Sequence, residues 1–231
     1  MGGDAFPDTV RLTESEYKRI CELITCVIHN SGINGVRTGF PVEVQDKEEL
    51  CHKLGKGSPY GDVDFMVGVD DESKKAEIIA VLKEALGATS EASTRKSKEC
   101  SLLTKERYQV DVLFCPVENF DFLLAFKGNN DFGALLGHLL TPFRLKWSEQ
   151  GLALKLNIGK VPNVGTVKFD FLLTNNVTEV CDFLCVPYFC LDGKTRMSSQ
   201  DIFNVLTACK LFFNNNDYDQ KYKLKERKMV G

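Results

Sequence analysis

The sequence predicts a mixed α/β (α+β) chain: a mixed β-sheet flanked by helices, with a smaller C-terminal α/β portion. Three observations carry that prediction. Tyr17, Ile20, Ile24, Val27 and Ile28 recur at helical spacing, and so do Ile78, Ile79, Leu82 and Leu86. Between and after them, Val63–Val67 and Tyr108–Phe114 are short apolar runs of strand length. With 231 residues and 43% hydrophobic content, the chain is long and apolar enough for a sizeable core with or without an appendage.

The elements follow in order. Thr13-Glu14-Ser15-Glu16 has the capping-box form and opens a helix over 14–30, which Asn30-Ser31-Gly32 ends. Residues 33–48 carry glycine and charge without a clear period. Cys51–Leu54 is expected to be a short strand delivering a glycine turn, and a second strand follows through Val67. Asp70 or Ser73 should cap a helix reaching Leu86, stopped by Gly87. Thr94–Lys98 is a basic loop, and Cys100–Leu103 should pair with 108–114 as a hairpin turning at Lys105-Glu106. Helices are expected at Phe120–Ala125 and Phe132–Leu140, the latter stopped by Thr141-Pro142. Beyond them, Phe143–Trp147 and Leu152–Ile158 read as a hairpin, Val167–Phe171 as a strand and 177–184 as a helix. Ser198 or Ser199 should cap a last helix reaching Phe213, before a charged tail. The expected division is a core over 1–142 and a C-terminal portion over 143–231.

The chemistry concentrates in Gly55–Val67. Three glycines lead into a strand on which Asp62 and Asp64 share one face, while Val63, Phe65 and Val67 take the other. Two carboxylates side by side repel unless a cation lies between them. Asp111, alone in the apolar run 108–114, needs a cation, a hydrogen-bonding shell or an exposed strand face. If its strand lies beside the first, three acids ring two Mg²⁺ ions (Mn²⁺ is an alternative). That arrangement suits in-line attack at phosphorus. Asp62 and Asp64 would hold both ions, and Asp111 the one that activates the attacking hydroxyl. Gly57, Ser58 and Gly61, with Lys56 adding charge, are candidates for a phosphate cradle; the plain alternative is a tight turn. Tyr60 is read as a packing residue.

Gly-Ser followed by Asp-x-Asp and a later lone Asp resembles the DNA polymerase beta-like nucleotidyltransferases, over roughly residues 50–145. The segment Phe126-Lys127-Gly128-Asn129 follows the third acid at about the interval seen in family X polymerases, where such a segment lies along the incoming nucleotide. The interval from Gly57-Ser58 to Asp62 is shorter than in those polymerases or CCA-adding enzymes. The compact form is closer to uncharacterised nucleotidyltransferase-like proteins of large DNA viruses and phages, and leaves either Gly55-Lys56 or Gly57-Ser58 at the phosphate. The resemblance implies a nucleotidyltransferase fold. It also implies transfer of an NMP from an NTP to a hydroxyl, with RNA or DNA 3′-ends as expected acceptors. A toxin-like enzyme acting on tRNA or protein, and a catalytically silent binding or assembly module, are the alternatives.

Other signals are weaker. A net charge of −3 argues against tight non-specific binding to long duplexes. Arg95, Lys96, Lys98 and Arg107, or Arg144 and Lys146, are candidates for a local nucleic-acid path, against the plainer reading of solvated charges. Nine cysteines at scattered apolar positions point to buried thiols in a reducing, cytoplasmic setting, and the spacing of Cys181, Cys185 and Cys190 matches no standard zinc finger. No apolar run is long enough for a membrane span and no signal-peptide pattern is present.

Overall fold

A computed structural model describes residues 5–55, 57–93, 99–129, 131–161 and 165–212. The chain divides into two compact units, one of Met1–Pro41 with Asp46–Phe120, the other of Val42–Gln45 with Asp121–Gly231. The division thus falls at 120/121, upstream of the 142/143 boundary expected from the sequence. Both units mix helix and strand, so the α+β class holds.

In the first unit, helix α1 (Glu14–Asn30) begins with the expected capping box, Thr13 Oγ1 accepting from the Glu16 N–H and Glu16 reaching back to the Thr13 N–H. Strand β1 (Val36–Gly39) comes from the stretch without a clear period. Cys51–Leu54 is not a strand: Lys47–Lys53 forms a short helix, α2, with Glu48 and Glu49 in its first turn and Lys53 in its last, and a Glu49–Lys53 ion pair. That charge order favours helix over a four-residue apolar reading. Strand β2 (Val63–Val69) follows the turn, then α3 (Ser73–Leu86), β3 (Ser90–Ser93), β4 (Glu99–Leu103) and β5 (Gln109–Pro116). Neither Asp70 nor Ser73 caps α3. Its N-cap is Glu72, and Asp71 Oδ1 accepts the Ser73 N–H, while Gly87 closes the helix in the left-handed conformation as expected.

The five strands form one mixed sheet in the order β1-β2-β5-β4-β3, with β2 and β5 parallel and the other pairs antiparallel. Alternation then sorts the faces. Val63, Phe65, Val67, Val110, Val112, Phe114, Cys100 and Leu102 lie on one face and are buried with Ile20 and Ile24 of α1 and Ile78 and Leu82 of α3. The other face carries Asp64, Met66, Gly68, Gln109, Asp111 and Ser101. At its far end the Val117–Phe120 turn closes down so tightly that a Cβ on Gly68 would sit 3.2 Å from Val117 and Phe120. The acids occupy the near end.

The second unit contains α4 (Phe120–Lys127, from Asp121 on), α5 (Asp131–Leu140), and an antiparallel sheet of β6 (Leu145–Ser148), β7 (Gly151–Val161) and β8 (Gly165–Thr174) in that order. Helices α6 (Val177–Leu184) and α7 (Ser199–Ala208) complete it. Ser198, not Ser199, caps α7 in a capping box with Asp201. That helix stops at Ala208 with Cys209 extended, short of the expected Phe213, which lies outside the described residues. Its core joins Phe122, Phe132, Leu136, Trp147, Leu152, Val180, Leu184 and Ile202. No helix among the described residues is long and apolar enough to cross a membrane.

Candidate active site

Asp64 and Asp111 are direct partners in the parallel β2–β5 register, so their side chains leave the sheet on one face, from strands about 4.8 Å apart. Asp62, two residues before Asp64, immediately precedes β2. The lone acid of the second apolar run thus stands beside the Asp-x-Asp pair, on the expected side of the sheet.

Asp111 is the buried member, 6% exposed. Burial pushes its carboxyl up to about 6, the negative charges of Asp62 and Glu99 push it the same way, and hydrogen bonds from Ser101 and Gln109 oppose them. Ser101 is its direct partner across the β4–β5 hairpin, and the Gln109 Nε2 donates to both oxygens, at 2.9 and 3.0 Å. Gln109 and Ser101 are themselves 3% and 5% exposed. The sequence reading missed both. Gln109 stands two residues before Asp111, hence on its face, whereas Ser101 meets Asp111 only because the hairpin loop has three residues, Lys105–Arg107, between Thr104 and Tyr108, one more than a turn at Lys105-Glu106 implies.

The turn before β2 is held from outside. Arg11 donates from its guanidinium to the carbonyls of Ser58 and Pro59, and Leu12 bridges Tyr60. Tyr60 is buried, stacked on Tyr17 with ring centroids 4.2 Å apart and covered by Lys47, in keeping with packing. Ser58 and Gly61 are half-buried and Gly57 is exposed. A Cβ at Gly57 would meet nothing within 4 Å, so no packing demand accounts for that glycine. Lys56 lies outside the described residues, as do Arg95, Lys96 and Lys98.

Phe126, Lys127, Gly128 and Asn129 belong to the second unit, and three of the four have an internal role there. Phe126 packs on that unit's core with its ring 6.1 Å from Trp147. A Cβ on Gly128 would stand 3.0 Å from the Leu124 carbonyl and 3.4 Å from Gly193 Cα, so glycine fits the close backbone packing there better than a larger residue. Asn129, only 2% exposed, accepts from the Met197 N–H through Oδ1 and donates to the Thr195 carbonyl through Nδ2. Arg107 is ion-paired with Asp8, and Lys146 with Asp170.

No family model and no curated protein matches the chain. The site must therefore be judged on its donors. Asp64 and Asp111 present hard carboxylate oxygens from one face, with Asp62 in electrostatic reach of Asp111, and carboxylate oxygen is the donor chemistry that Mg²⁺ takes. The net push of Asp62 against the charged form of Asp111 is a repulsion that a cation between them would relieve. As the side chains stand, no three His, Cys, Asp or Glu among the described residues converge as a metal cage. The Gln109 amide, which engages both oxygens of Asp111, gives a physical reason. The cysteines offer no rival centre. Cys115, Cys181 and Cys190 are buried, which pushes their thiols up to about 11, 11 and 12, while Cys26 and Cys185, expected to be buried, are exposed.

Proposed function

We propose that the chain is a metal-dependent nucleotidyltransferase that transfers an NMP from an NTP to a hydroxyl acceptor, a nucleic-acid 3′-end first among them, with release of pyrophosphate. The observation that carries this reading is the pairing of Asp64 with Asp111 across parallel strands, with Asp62 in electrostatic reach of Asp111. Asp62, Asp64 and Asp111 are the residues that would hold Mg²⁺ or Mn²⁺, which when bound supplies charge neutralisation for the phosphates and activation of the attacking hydroxyl. Asp111, the acid that would hold the ion activating the hydroxyl, is the candidate to accept the hydroxyl proton. The exposed Gly57 and the half-buried Ser58 and Gly61 precede Asp62 directly, where backbone N–H groups and the Ser58 hydroxyl can meet phosphate oxygens. A nucleotide role for Phe126, Lys127, Gly128 and Asn129 has less support, since packing already accounts for three of them.

The test is pyrophosphate release and label transfer from each of the four NTPs with Mg²⁺, in the presence of total RNA, DNA oligonucleotides or lysate protein. Asp62→Asn, Asp64→Asn and Asp111→Asn should each lower turnover by at least about a hundredfold, with folding intact. Absence of Mg²⁺-dependent turnover with every NTP and acceptor would defeat the proposal. A catalytically silent binding module on the same scaffold is the second reading. It is favoured by one observation, that Gln109 and Ser101 already supply Asp111 with hydrogen bonds.

A further inference from the structure

A single stretch of chain before α1 ties the third acid's strand to the glycine turn. The Ala5 N–H donates to Gln109 Oε1 at 3.1 Å, and the Val10 N–H donates to the Arg107 carbonyl at 2.9 Å. Arg11 grips the Ser58 and Pro59 carbonyls, and Leu12 exchanges two backbone hydrogen bonds with Tyr60, at 2.8 and 3.3 Å. Everything the stretch holds lies within the first unit.

Gln109 is where this strap meets the chemistry. Its Nε2 is nearly equidistant from the two oxygens of Asp111, at 2.9 and 3.0 Å, and so lies near the bisector of the carboxylate. A divalent cation held by both oxygens would take that same position, and one held by a single oxygen would compete with the amide for that oxygen's lone pairs. The amide's orientation is also fixed at its other end: the Gln109 carbonyl oxygen accepts the Ala5 N–H, which leaves the NH₂ facing Asp111. Gln109 and Asp111 are almost fully buried, so their half of this arrangement is shielded from water, while Ala5 is exposed and the catch lies at the surface.

The geometry points to Gln109 as a positioning residue that latches Asp111 in an orientation excluding a divalent cation, with the Ala5 N–H as its catch. Loading of the third acid then requires the amide to swing off the carboxylate. This rests on the divalent-cation reading of Asp62, Asp64 and Asp111. It explains why Asp64 and Asp111 share a face, with Asp62 nearby, without closing into a cage. It also makes the strap a route by which displacement of the N-terminal stretch, by an acceptor or a partner, frees the site.

The experiment is a Mn²⁺ titration of the full chain, with free Mn²⁺ followed by electron paramagnetic resonance and no nucleotide present. Gln109→Met keeps the length of the side chain and removes the donor. It should bind Mn²⁺ roughly tenfold more tightly than the unaltered protein. Ala5→Pro removes the backbone N–H and should tighten binding roughly threefold, since the amide keeps its bonds to Asp111 but loses its catch. In an Asp111→Asn background the Gln109→Met gain should vanish. Equal or weaker binding by Gln109→Met overturns the latch, as does a gain that persists without Asp111. If Gln109→Met does not fold, the Ala5→Pro titration decides in the same way. Should the unaltered protein bind Mn²⁺ no better than Asp62→Asn does, the divalent-cation reading itself fails, an outcome distinct from Asp62-dependent binding that ignores Gln109.

Discussion

Two glycine-bearing segments look alike in the sequence as candidate ligand contacts, and the structure treats them in opposite ways. Around Asn129, Gly193 and the Leu124 carbonyl lie close against the glycine, and the amide is used at both ends by 195–197. Packing and hydrogen bonding account for those residues without a ligand. Around Asp62 the balance is reversed. Gly57 has open space around it, and Asp64, which follows, stands on a sheet face beside a buried acid with a raised proton affinity. Nothing in folding rewards that juxtaposition. Residues that cost stability where they stand are the ones whose presence calls for a function.

The largest expected effect tests the first half of the contrast. Asn129→Ala leaves the Met197 N–H without this partner in a buried place and removes the half-buried bond to the Thr195 carbonyl, and should cost about 2–4 kcal/mol in chemical denaturation. Mn²⁺ binding by the acids should not change. A variant with unaltered stability but weakened NTP binding would break the comparison, and would return Asn129 to the nucleotide.

The second half is tested by Asp111→Asn. An acid whose proton is held more tightly in the folded protein than in the unfolded chain favours folding most at low pH. Its contribution is full below the ordinary value of 3.8 and is lost as pH rises through about 6. Ionised Asp111 therefore costs the folded protein on the order of 2–3 kcal/mol at pH 8 without divalent ions. Asp111→Asn, unfolded in EDTA, should gain about 1–3 kcal/mol at pH 8 and little at pH 4. A loss of stability at pH 8 would mean that Asp111 is a structural acid, and the contrast with Asn129 would disappear.

How much of this was legible beforehand depends on the range of the interaction. Local signals carried: the Thr13/Glu16 capping box and the Gly87 stop stand where the sequence put them, and the hairpin around Lys105-Glu106 forms with one residue more in its loop. The pairing of Asp64 with Asp111 was also legible, because strand period fixes a face once two strands are neighbours. Failures came where a decision lay outside the window. Cys51–Lys53 joined a helix whose charge order runs back to Glu48, and the packing of Gly128 against Gly193, 65 residues on, cannot be seen from its neighbours. The Gln109–Asp111 contact needed only the period-two rule, yet an amide next to an acid attracts no attention until both are known to be buried.

The smallest effect concerns a carboxylate on the opposite side of the same ledger. Glu16 accepts the Tyr108 hydroxyl and the Thr13 N–H and hydroxyl, and these bonds hold its carboxyl down at about 2, against Asp111's rise. The sign is therefore inverted. Glu16 favours folding above its ordinary value of 4.5, and that contribution fades as pH falls towards 2. Glu16→Gln should cost about 1 kcal/mol at pH 7, the usual worth of a cap, because solvent screens the rest. The acid limb of its stability profile should be correspondingly flatter. The stability profile of a Glu16→Gln/Asp111→Asn double variant should then differ from that of the unaltered protein in two separable pH windows, one below 4.5 and one between 4 and 7, if a cap and a site acid shape them independently. Should either change alter the other's window, the strand that carries Tyr108, Gln109 and Asp111 couples the cap to the site, and the two carboxylates belong to one network.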